Sequence, residues 1–79
     1  MTVRQLIEQL SKLPPELEIV MSKDAEGNSY SPLSDCSLGC YMPYSTWSGE
    51  FSSEGNFEAD REYFNKPLVV NAVCLWPVN

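Results

Sequence analysis

Apolar residues recur at helical spacing at the start of the chain. Val3, Leu6, Ile7, Leu10 and Leu13 form one stripe, while Arg4, Gln5, Glu8, Gln9 and Lys12 fill the other side. Thr2 and Gln5 have the spacing of a capping box, in which the hydroxyl accepts from a first-turn N–H and the amide reaches back to the cap. Pro14 and Pro15 end the pattern, because proline disfavours helical geometry in the residue before it and donates no hydrogen bond. The spacing predicts a helix over 3–13. From Leu17 the period becomes two, with Leu17, Ile19 and Met21 on one side and Glu18, Val20 and Ser22 on the other, as in a strand with one buried face. Lys23 to Asn28 gathers the turn formers Asp, Gly and Asn before Ser29 to Leu33 extends again as a hairpin partner. Pro32 lacks a ladder donor and predicts an edge or a break there. Residues 36–42 read as a short third strand interrupted by Gly39. From Leu68 to Trp76 both alternating sets are apolar, which predicts a strand buried on both faces and central in the sheet, beside the strand from Leu17. The expected architecture is α+β: a small antiparallel sheet of three to four strands with one N-terminal helix packed on one face.

Between these elements, about residues 43–67 form a long connection rich in Ser, Gly, Asn and Glu that also carries six of the chain's aromatic rings. Disordered segments seldom hold so many rings, and connections of this length are usually functional. A helical turn is expected around Glu58 to Phe64. With 79 residues, the whole of 1–79 reads as a single domain. A chain this short buries only about 60–65% of its unfolded surface, so marginal stability or a self-partner is expected, the latter as a homo-oligomer. Eleven acidic against five basic residues give a net charge of -6. That balance argues against direct binding to nucleic acid or to an anionic membrane. No apolar run approaches the roughly 20 residues that cross a bilayer, and the first segment lacks the plan of a signal peptide. Three cysteines, Cys36, Cys40 and Cys74, fit reduced thiols better than a disulfide framework, with a Cys36–Cys40 bridge the one alternative. The expected location is cytoplasmic.

The absence of histidine removes imidazole-based triads and zinc sites. The three thiols fall one short of an all-cysteine zinc site, and core packing accounts for them as well. Asp24, Glu26, Asn28, Tyr30 and Asp35 occupy places one, three, five, seven and twelve of a calcium-loop window. Gly27 is misplaced within it, the final ligand is Asp, and strands flank it, so a polar hairpin turn is the better reading. Glu50, Glu54, Glu58, Asp60 and Glu62 read as loop solvation rather than a glycosidase pair. Single glycines at 27, 39, 49 and 55 make no phosphate loop. No catalytic residue, metal ligand or cofactor is assigned. What remains is the mixture of rings and acids. Tyr41, Tyr44, Trp47, Glu50, Phe51, Phe57 and Tyr63 are the candidate partner-binding residues, since such rings give large contact area at small entropic cost and carboxylates steer basic partners. The plain alternative is that these rings wrap the uncovered face of the sheet.

The strings TVRQLIEQLSKLPPELEIVMSKDAEGNSYSPLSD, STWSG and NAVCLWPVN resemble small uncharacterised proteins of bacteriophages and prophages, over about two thirds of the chain. The resemblance implies a setting in the host cytoplasm and carries no site residues with it. The reading is a small acidic accessory protein, not an enzyme, that binds and inhibits a host or defence protein. The alternatives are a nucleotide or calcium binder, with Arg4, Lys12, Lys23, Arg61 and Lys66 as its only cations, and a mimic of DNA.

Overall fold

A computed structural model describes all residues, 1–79, and holds two helices and four strands. Helix α1 spans Val3–Leu10, and its capping box is complete: Thr2 Oγ1 accepts from the Gln5 N–H at 3.2 Å, and Gln5 Oε1 accepts from the Thr2 N–H at 2.8 Å. It ends three residues earlier than the spacing predicts. Pro14 and Pro15 offer no N–H to the carbonyls behind them, so the last turn tightens, with Lys12 donating to Gln9 and Leu13 to Leu10.

Strand β1 is only Val20–Ser22, whereas β2 runs for 14 residues, Tyr30–Pro43. Strand β3 is Gly49–Ser53, followed by a single 3-10 turn at Glu54–Asn56, helix α2 at Phe57–Phe64 and strand β4 at Ala72–Pro77. All pairings are antiparallel and all involve β2: Val20–Ser22 with its first three residues, Gly49–Ser53 with Gly39–Pro43, and β4 with Leu33–Gly39. The fold is the expected α+β arrangement of an antiparallel sheet and an N-terminal helix.

Three details of the expected layout are corrected. Residues 29–33 and 36–42 are one strand, not two. Pro32 does not break it, because its carbonyl still accepts from the Val78 N–H at 2.9 Å while the next N–H, on Leu33, donates to Ile19 at 3.1 Å. A register shift follows between Leu33 and Asp35. The connection from 43 to 67 is likewise no structureless loop but a tight hairpin, a strand and a helix, with the expected turn at Glu58 to Phe64 forming most of α2. Finally, β4 is not central and does not touch β1; β2 is the hub. The two-sided apolar pattern of β4 arises because both faces of the sheet carry apolar side chains, not because strands flank it on both edges. Its start is set by Asn71, whose side chain takes the place of a ladder residue: Oδ1 accepts from the Tyr41 N–H at 2.7 Å and Nδ2 donates to the Tyr41 carbonyl at 3.1 Å.

Strand alternation sorts the side chains into two layers. Cys36, Leu38, Val73 and Leu75 face α1, whose Val3, Leu6, Ile7 and Leu10 approach them across an apolar cleft. On the same side, α2 is tied to β3 by Ser52 Oγ, which donates to Asp60 Oδ2 at 2.6 Å. Tyr41, Phe51 and Trp76 occupy the opposite face, which no helix covers. Full burial is confined to Ser31, Gly39, Cys40 and Ser52; the last three form a small enclosed knot where β2 and β3 meet, and Ser31 is enclosed at the other end of β2.

Candidate binding surface

The β2–β3 hairpin turns through residues 44–48 and holds its shape with its own backbone and serines. The Tyr44 and Ser45 N–H groups both donate to the Ser48 carbonyl, at 2.8 and 3.1 Å, and the Trp47 N–H donates to Ser45 Oγ at 3.3 Å. These bonds fix the turn without using the Trp47 ring, which stands free at 85% exposure, the highest of any large apolar side chain in the protein. Tyr44 is 68% exposed, and its hydroxyl donates to Glu50 Oε1 across the hairpin. Accepting that hydrogen bond, the Glu50 carboxylate pushes the Tyr44 phenol up to about 12, with small further contributions from desolvation and from the charges of Glu50 and Tyr63. Glu50 therefore orients a ring and is not a freely extended acid.

Below the tip, the rings continue across the uncovered face through two glycines. Tyr41 and Phe51 are directly opposed on β2 and β3. The Tyr41 ring lies where a side chain at Gly49 would stand, and the Phe51 ring lies where one at Gly39 would stand, 2.4 Å from the site of an added Cβ. With Gly39 bare, Phe51 reaches over the hub strand and meets Trp76 of β4 edge-to-face, at 6.2 Å between centroids and 67° between planes. Trp76 is fixed in turn by its indole N–H, which donates to Ser37 Oγ at 2.8 Å. The result is a row of rings, Trp76, Phe51 and Tyr41, on the uncovered face, while Glu50, which shares the side of Ser52, draws Tyr44 toward α2 at the tip.

The seven residues singled out from the sequence therefore divide. Tyr41, Tyr44, Trp47 and Glu50 are gathered by the hairpin. Phe51 is half-buried and serves as the bridge between β3 and β4. Phe57 is half-buried at the start of α2, beside Leu68. Tyr63 is exposed on α2, edge-on to Phe64 at 4.8 Å, and lies within electrostatic reach of Tyr44. Trp76 belongs to the row and was not among the seven. Its signal was present in the sequence, as a large ring at the outer end of the last strand, but the assignment of that strand to the centre of the sheet hid it.

The other candidate sites do not assemble. Asp24 is consumed by its own turn: Oδ1 accepts from the Glu26 and Asn28 N–H groups at 2.9 and 3.1 Å, and Oδ2 from the Asn28 side chain at 3.1 Å. Those bonds, Asn28 first, lower its carboxyl below the ordinary value. Asp35 lies away on β2, accepting from the Cys36 N–H at 2.7 Å. No three His, Cys, Asp or Glu side chains converge where they would hold a metal ion. The thiols are all free, with Cys40 buried and Cys36 exposed. Four residues apart on an extended strand, Cys36 and Cys40 stand about 13 Å from each other, beyond the reach of a disulfide. Burial raises the Cys74 thiol, which makes it a poorer nucleophile.

Comparison with family models, curated proteins and solved structures finds no match to this chain. No helix is long and apolar enough to cross a membrane.

Proposed function

We propose that the protein acts without catalysis, by binding another protein through the tip of the β2–β3 hairpin and the ring row behind it. The observation that carries this reading is Trp47, held out from a turn that its own serines rigidify, beside a Tyr44 hydroxyl already oriented by Glu50. A ring presented on a fixed backbone loses little freedom on docking, and Trp and Tyr are the residues around which the energy of protein interfaces concentrates. The net charge of -6 favours a partner whose docking surface is neutral or basic. In the setting implied by the resemblance to phage proteins, that partner is a host or defence protein in the host cytoplasm, and its inhibition is the biological outcome.

The cation alternative gains nothing from the geometry, because Asp24 is spent on its turn and Asp35 is elsewhere. Mimicry of DNA has no supporting array, since Glu50 is bonded to Tyr44 and Asp60 to Ser52. The test is paired affinity capture from host lysate with the wild-type chain and with Trp47→Ala. The expected result is a stoichiometric protein retained by the wild type and lost with the variant, while the melting temperature stays within a degree or two. A partner retained equally by both chains would move the site away from the hairpin, and no stoichiometric partner for the wild type would overturn the reading.

A further inference from the structure

The apolar surface beside α1 is independent of the hairpin site. The cleft between α1 and the sheet has a volume of about 530 Å³ and is lined by Met1, Val3, Ile7, Leu10, Leu38 and Leu75 among others, with no charged side chain. Leu10 also borders a second hollow of about 220 Å³, beside Leu13, Leu17 and Ile19. No residue of α1 is buried: Val3 and Ile7, on the stripe that should face a core, are 58% and 60% exposed. A helix that shows its apolar stripe to water is missing a partner.

The missing area can be estimated. A compact monomer of 8.9 kDa exposes about 4,800 Å² by the scaling of folded proteins, whereas this chain exposes 6572 Å². Its radius of gyration is 14.7 Å, against about 12 Å for a compact chain of this length. The excess, about 1,800 Å² per chain, falls within what one subunit of an obligate homodimer buries, roughly 1,000–2,500 Å². The charges also fit. Residues 1–15 carry two of the five cations, Arg4 and Lys12, and a single carboxylate, Glu8, so this segment of an acidic chain does not repel a second copy.

We propose that the α1 face is a homodimer interface, on which a second copy of this chain docks by a two-fold axis so that the α1 stripe and the Leu38–Leu75 face of each copy cover those of the other. The contact is isologous: each surface supplies both the stripe and the face it needs. Burying α1 in this way would complete the core that the isolated chain leaves open.

The test is sedimentation equilibrium or light scattering of the wild-type chain over a hundredfold concentration range, together with alkylation of Cys36, which lines the cleft, and of Cys74, on the opposite face. The expected result is a mass of twice the monomer and a melting temperature that rises with concentration. Alkylation of Cys36 should slow several-fold at high concentration while that of Cys74 holds its rate. Ile7→Glu places a charge in the interface of both copies and should weaken association by about 100-fold or more. If that variant instead fails to fold while the wild type shows the concentration dependence, folding and dimerisation are one event, which also supports the proposal. A wild-type chain that stays monomeric throughout overturns it, and a melting temperature then raised by a medium-chain fatty acid would make the cleft a site for apolar ligands. A dimer whose Cys36 reacts equally fast at both concentrations, or that Ile7→Glu leaves intact, overturns the assigned face. None of these results depends on Trp47.

Discussion

Replacing Gly39 by alanine tests the ring row at its narrowest point. At an open site, Gly→Ala usually stabilises by about 0.4–1 kcal/mol, because the unfolded chain loses freedom. At Gly39 the new Cβ would stand 2.2 Å from the Ser52 carbonyl oxygen and 2.4 Å from the Phe51 ring. The ring can swing away, but only by leaving Trp76, and the carbonyl belongs to a strand paired through Gly39 itself. Overpacking of this kind costs about 1–3 kcal/mol, and losing the edge-to-face contact about 0.5–1.5 kcal/mol more. The expected destabilisation is therefore about 2–4 kcal/mol, a large part of the roughly 4–12 kcal/mol available to a chain of this length. In a thermal melt it corresponds to a fall of roughly 10–30 °C. Gly55→Ala is the control, because nothing lies within 4 Å of its added carbon, and it should be neutral or slightly stabilising. A Gly39→Ala chain within about 0.5 kcal/mol of wild type, or a double-mutant cycle with Phe51→Ala that shows no coupling, would refute the account of Phe51 crossing the hub strand.

Ser52→Ala leaves the Asp60 carboxylate without its hydroxyl donor in a half-buried position, and a loss of about 1.5–3 kcal/mol is expected in chemical denaturation, with α2 exchanging its amide hydrogens faster. Thr2→Ala removes one half of the capping box and should cost about 1 kcal/mol. Because α1 is exposed, the loss should appear first as helical signal and exchange protection in residues 3–10 rather than as an earlier global melt. The phenol of Tyr44 is raised from 10.0 to about 12, so the stability it contributes is fully present below pH 10 and is lost as pH rises through its folded value. Ultraviolet titration of tyrosinate should show the Tyr44 phenol ionising well above its ordinary value of 10.0, and Glu50→Gln should return it toward that value.

The helix and its cap were legible because they are local: Thr2 and Gln5 need only each other, and an apolar stripe is written in consecutive turns. The strand expected from Leu17 holds only over Val20–Ser22, and its expected inner face does not form, with Leu17 60% and Ile19 46% exposed. The hairpin at 44–48 was not legible, because serine side chains define its turn where Asn-Gly or Asp-Gly would have announced one. Nor was the continuity of β2 legible, since Pro32 and Gly39 both look like punctuation until partners at Val78 and Phe51 give each a reason to be there. At the candidate site the hairpin rings were found by residue type alone. That they form a row with Trp76 depends on the register of Asp35 with Trp76 and of Tyr41 with Phe51, and register is a property of distant segments meeting.

A sheet in which every strand hangs on one strand also has a preferred order of assembly. The turns at residues 23–29 and 44–48 close within a few residues, so β1 and β3 can zip onto β2 as soon as it extends, whereas β4 must return across the whole stretch from residue 44 to 71. The two hairpins are thus the early-forming unit and β4 the late one. In the native state the order does not simply reverse: β4 holds β2 through six register pairs and the contact between Phe51 and Trp76, whereas β1 holds it through three, so β1 forms early and is also the strand that opens most readily.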